Sequence, residues 1–137
     1  MAELELILAK DGKLCFGDYS LAEKAKLDGF SHGGNIYKVK TFRELTKLER
    51  DGMFVSESEP GSRVCDFEQK KDGISFDVTG EQDAMITVGL KEDTSYEVFE
   101  NGNSVGTMKT NLGGKLSLSV ALSPDQKTTI LIKESNG

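Results

Sequence analysis

From Gly73 onward the chain alternates apolar and polar residues in short segments, with turn residues recurring roughly every ten positions. Ile74, Phe76 and Val78 alternate with Ser75 and Asp77; Ala84 to Leu90 follows, then Tyr96 and Val98, with Phe99 on the opposite face. Asn101-Gly102 tolerates positive φ and predicts a tight hairpin, whose return strand is Ser104 to Thr110. Beyond the Asn111 to Gly114 turn, Leu116, Leu118 and Val120 alternate with Lys115, Ser117 and Ser119, the period of a half-buried strand. Pro124 marks another turn, and Thr128 to Lys133 closes the series with Ile130 and Ile132 on one face.

The first half is less regular. Leu4 to Ala9, the Asp11-Gly12 turn and Leu14 to Phe16 predict a hairpin. Ser20-Leu21-Ala22-Glu23 matches a capping box, and Asp28-Gly29 would end the short helix it predicts. Ile36 to Lys40 alternates as a strand. Thr41 to Gly52 carries two signals: Thr41 and Glu44 form a second capping box with Phe42, Leu45 and Leu48 at helical spacing, while Asp51-Gly52 is a hairpin turn. Strand is the favoured reading for Thr46 to Arg50 and for Met53 to Glu57. Pro60-Gly61 then turns the chain into a strand from Arg63 to Phe67. With no linker, low-complexity tract or internal repeat, residues 1–137 read as one domain. The expected architecture is an all-β antiparallel sandwich of about eight to ten strands, with one short helix near the N-terminus.

Composition narrows the function classes. A chain of 137 residues with 36% apolar and 29% charged residues can bury a core without staples, so it is expected to fold. Its 17 basic and 23 acidic residues give a charge of -6, which opposes a phosphate backbone unless the lysines segregate. Along the sequence they do not: Lys38 and Lys40, Lys70 and Lys71, and Lys109 and Lys115 lie near acids or in turns. No nucleic acid is therefore expected as a partner. Glu3 and Glu5 stand where a secretory signal wants basic and apolar residues, and no apolar run is long enough for a membrane helix. The expectation is a soluble cytoplasmic protein. Cys15 and Cys65 then read as two reduced thiols, a single bridge being the alternative.

Few residues point to chemistry. The lone His32, in a Gly-rich loop, lacks the partners of a nucleophilic triad, and with two remote cysteines it makes no zinc set. Gly113-Gly114-Lys115 lacks the flanking residues of a phosphate loop, and no dinucleotide fingerprint occurs. No cofactor is implied. Acid pairs that share a strand face, Glu57 with Glu59 and Asp66 with Glu68, are the remaining catalytic possibility, against the simpler reading of a solvated face.

Four segments carry a resemblance: Lys38-Val39-Lys40-Thr41-Phe42, Thr46-Lys47-Leu48-Glu49, Glu59-Pro60-Gly61, and Met108 through Ser117. In these the chain resembles a family of small proteins from anaerobic Firmicutes labelled endosialidase, or endosialidase catalytic beta chain. The label implies a sialic-acid hydrolase, with a propeller fold, three converging arginines and a Tyr nucleophile. This chain is too short for a propeller and has no Trp for the turns of that class. Arg43, Arg50 and Arg63 match the arginines in number only, so no catalytic residue is carried over.

The leading expectation is a non-catalytic interaction or structural module with a protein partner or a second copy of itself, because exposed edge strands favour pairing. The alternative is a carbohydrate-active protein, a glycan-binding module or a sialic-acid glycosidase. For that alternative the candidate ligand-binding residues are Arg43, Arg63, Glu57 and Tyr37. Exposure of Tyr37, Tyr96 or Phe99 in a groove, or arginines gathered with an acid and a tyrosine, would support it.

Overall fold

The computed structural model describes residues 6–135, which form thirteen strands and, among those residues, no helix. In chain order they are β1 (Ile7–Lys10), β2 (Lys13–Phe16), β3 (Ala25–His32), β4 (Asn35–Phe42), β5 (Leu45–Arg50), β6 (Met53–Glu59), β7 (Arg63–Lys70), β8 (Gly73–Thr79), β9 (Ala84–Gly89), β10 (Ser95–Glu100), β11 (Asn103–Lys109), β12 (Lys115–Val120) and β13 (Thr128–Glu134). They build two antiparallel sheets. The seven-stranded sheet A has the order β1-β2-β7-β8-β13-β10-β11, and the six-stranded sheet B the order β12-β9-β6-β5-β4-β3.

Period-2 patterning puts Val39 and Leu48 of sheet B and Phe76, Val78, Ile130 and Ile132 of sheet A into one shared hydrophobic cluster. Each is at most 2% exposed, so the two inner faces close on each other. Two-residue turns set the registers. Asn101-Gly102 joins β10 to β11 with both residues at positive φ, as the sequence predicts, and Asp51-Gly52 does the same for β5 and β6.

Three expectations need correction. The helix over Ser20 to Gly29 does not form. Lys24-Ala25-Lys26-Leu27-Asp28 alternates with period 2, and β3 pairs with β4 instead. A one-turn nucleus has little to oppose such pairing. The Asp18 carboxylate accepts the Ser20 amide at 3.0 Å, so the polar groups of the capping signal serve a local turn. The strands exceed the expected eight to ten because each alternating segment read from the sequence forms its own strand and β3 occupies the supposed helix. Finally, Cys15 and Cys65 are not two separate thiols: a disulfide joins them across β2 and β7.

The ambiguous segment resolves as strand. β4 runs on to Phe42, and Arg43-Glu44 forms the two-residue turn into β5. A buried hydroxyl network holds this corner: Thr46 Oγ1 donates to the Ser62 carbonyl at 2.9 Å and accepts the Ser62 amide at 3.0 Å, while Thr41 accepts the Asp18 amide at 2.8 Å. The strand expected from Leu4 starts outside the described residues; its described part is β1.

Candidate functional site

Tyr37, Val39 and Thr41 fill the inward positions of β4, so Lys38 and Lys40 must point outward. The same alternation puts Lys26 of β3 and Lys47 of β5 on that outer face. Register then aligns them. Lys26 pairs with Lys40, Lys40 with Lys47, Lys47 with Glu57 of β6, Glu57 with Thr87 of β9, and Thr87 with Ser117 of β12. Neighbouring strands lie about 4.8 Å apart, so this is one continuous row of side chains crossing all six strands. Lys38 lies on the same face of β4, and Lys24, just before β3, sits with its Nζ 5.6 Å from the centre of the Phe42 ring.

The row has a basic half and an acidic start beyond it. Lys47 is 3.7 Å from Glu49, but Lys24, Lys26, Lys38 and Lys40 make no ion pair among the described residues. The Lys40 ammonium is held below its ordinary value, first by the charge of Lys26, then by partial burial, then by Lys24, Lys47 and Lys38. Glu57 is pushed above the usual carboxylate range by partial burial, and further by its hydrogen bond and like charge with Glu59. Like charges directly opposite each other weaken a sheet, so this face carries a cost that the fold itself does not explain.

The residues singled out from the sequence fall in separate places. Arg43 lies in the β4–β5 turn and lines a cleft of about 540 Å³ with Tyr19, Glu44, Glu59, Pro60 and Glu81. Glu57 belongs to the outer face of sheet B. Arg63 lines a different depression, beside Cys65 and Asp77, and donates from Nη1 to the Gly17 carbonyl at 2.8 Å. Tyr37 is 5% exposed and Tyr96 2%; both are core residues, so neither offers a sugar-stacking platform. Arg50 stands at the end of the sandwich against Gln69. Thus Arg43, Arg50 and Arg63 do not share a pocket. Among the described residues no group of three or more His, Cys, Asp or Glu side chains is placed to hold a metal ion.

Sequence reasoning missed the lysine face. Alternate lysines in Lys24-Ala25-Lys26 and Tyr37-Lys38-Val39-Lys40 are the signal that could have found it, since period 2 sends each pair to one side. The registers of β3 and β5 were also required, and a bulge between Leu27 and Phe30 hides the first of them.

No protein-family model matches the chain, and comparison with curated proteins and with solved structures finds no match. Among the described residues no helix is long and apolar enough to cross a membrane, which says nothing about crossing by strands.

Proposed function

We propose that this protein is a non-catalytic interaction module that docks an acidic protein surface on the outer face of sheet B. The observation that carries this reading is the row Lys26, Lys40 and Lys47, three cations in register on adjacent strands, reinforced by Lys24 and Lys38. Carboxylates from a partner would relieve the repulsion that the chain leaves in place. Among the described residues no helix stands on this face to enter a nucleic-acid groove, and its nearby ring, Phe42, has the Lys24 ammonium over it. A net charge of -6 works against long polyanions and favours a compact partner that meets only this patch. A second copy of the chain is one such partner, because away from the lysines the molecule is strongly acidic.

A Glu-rich peptide carrying a fluorophore serves as the probe in a polarisation titration. Salt-sensitive binding that is lost in the Lys26→Glu, Lys40→Glu double variant supports the reading. Indifference to the peptide, with binding to duplex DNA or to anionic lipid vesicles instead, would replace the partner class. Indifference to all three overturns the reading.

The carbohydrate-active alternative has one observation in its favour: Arg43, Tyr19 and Glu59 line the same cleft. A guanidinium beside a phenol and a carboxylate suits an acidic sugar. Titration with a sialic-acid oligosaccharide, watching the amides of Arg43 and Gly61, tests it; no shift removes that reading.

A further inference from the structure

The open end of the sandwich presents a second cationic feature, distinct from the lysine face. Arg50 ends β5 opposite Tyr37 and shares its inward direction. Its guanidinium crosses from sheet B to sheet A, where Nη1 donates to Gln69 Oε1 at 2.8 Å. That partner is a neutral amide. Arg50 is only partly exposed and makes no ion pair among the described residues, although the chain holds 23 acids. A half-buried cation left with one neutral partner keeps most of its five N–H donors for something else.

Beside it lies a depression of about 260 Å³, lined by Lys70, Lys71 and Lys91 as well as Arg50, with no carboxylate in its lining. Ile74, Leu90 and the Tyr96 ring supply apolar wall. Lys91 lies 3.0 Å from Glu134 and Lys70 4.0 Å from Glu68; both acids stand outside the lining, and both pairs are solvent-exposed. Asp72, in the β7–β8 turn next to Lys71, also lies outside it. Lys71 makes no ion pair among the described residues. An arginine and three lysines lining one small concavity are the donor set for a compact, multiply charged oxyanion. The volume lies just under the range of about 300 to 1,000 Å³ typical of larger ligands.

We propose that this depression binds a small phosphate-bearing ligand, with Arg50 as the directional contact and Lys70, Lys71 and Lys91 as the surrounding charge. The site depends neither on the acidic partner nor on the cleft at Arg43.

Inorganic phosphate and glycerol 2-phosphate, titrated separately at constant ionic strength against chloride, test the proposal by amide chemical shifts. The expected result is saturable shifts at Gly73 and Gly89, which line the depression. Preference between the two probes separates the free ion from a phosphate ester, and saturable binding of either at this site supports the proposal. Arg50→Gln is expected to weaken binding about tenfold. Lys71→Ala, in an exposed turn where no fold defect follows, is expected to weaken it about threefold. The Lys26→Glu, Lys40→Glu variant is expected to bind as the parent does. Absence of saturable shifts, or binding that survives both Arg50→Gln and Lys71→Ala but disappears when the lysine face is reversed, overturns the proposal.

Discussion

Lys40 stands directly opposite Lys26 in the β3–β4 register, and no carboxylate separates them. The ammonium of Lys40 is held below its ordinary value chiefly for that reason. A lysine so shifted is charged in both folded and unfolded chains at neutral pH, where the fold bears the repulsion. As pH rises past the lowered folded value the native chain sheds the proton first, so this contribution shifts toward stability in the alkaline range up to the ordinary value of 10.5. Replacing Lys40 by Thr, a good strand former, is expected to raise the melting temperature at pH 7 by a few degrees. The gain should shrink in 1 M salt, where the Debye length falls to about 3 Å. Equal melting temperatures in low salt would contradict the electrostatic account.

Glu57 gives the complementary case. Its carboxyl is raised above the ordinary 4.5 by partial burial and by Glu59, so the folded chain holds the proton more tightly than the unfolded one. That favourable term is complete below 4.5 and is lost as pH rises through the folded value. Glu57→Gln should therefore stabilise the protein at pH 7 by a few tenths of a kcal/mol, the scale of an exposed charge interaction. Denaturation curves at pH 7 and at pH near 4 check the sign: the gain belongs to the first and should vanish in the second.

What the sequence made legible follows from what its signals measure. Alternation in Leu116, Leu118 and Val120 marks β12 because one face of it is buried, and Asn101-Gly102 marks its hairpin because the turn needs positive φ at both residues. At Ser20 to Glu23 the capping box describes only which polar groups a helix start would satisfy, whereas β3 forms through pairing with β4, a partner the local sequence does not name. The functional residues were harder still. Lys26, Lys40 and Lys47 meet only through two registers, and Arg50 meets Gln69 only because two sheets stack. Arg43, named from the sequence as a ligand-binding candidate, does line a cleft, but its place in the β4–β5 turn follows from pairing that the hairpin signal at Asp51-Gly52 does not reach.

Thr46 anchors Ser62, the residue that follows the cleft residues Pro60 and Gly61. Its hydroxyl answers both the amide and the carbonyl of Ser62 and lies 2.8 Å from the Thr41 hydroxyl, with all three residues at most 2% exposed. Thr46→Val keeps the volume and removes the oxygen, leaving two buried backbone groups without partners. Each unsatisfied group costs about 1 to 3 kcal/mol, so a loss of about 2 to 6 kcal/mol is expected, with the cleft residue Gly61 shifting in amide spectra. A loss below about 0.5 kcal/mol would mean that water replaces the hydroxyl.

The Cys15–Cys65 bridge closes a loop of sequence separation 50. It also ties β2 to β7 where their register shifts between Leu14 and Phe16, in the ladder that joins the β1–β2 hairpin to the body of sheet A. Two consequences differ in scale. Globally, constraining a loop of that length in the unfolded chain contributes about 4 kcal/mol in the chain-entropy model, so the Cys15→Ser, Cys65→Ser variant should lose stability of that order. Locally, the amides of β1 and β2 should exchange faster than those of β8 and β13, because the hairpin is then held by a bulged pairing and the packing of Ile7, Leu14 and Phe16, without a covalent tie. Oxidised protein unfolded in denaturant should show no thiol to a colorimetric reagent, and two after reduction. Two reactive thiols before reduction would instead restore the reading of separate cysteines, and the double variant should then match the parent in both stability and exchange.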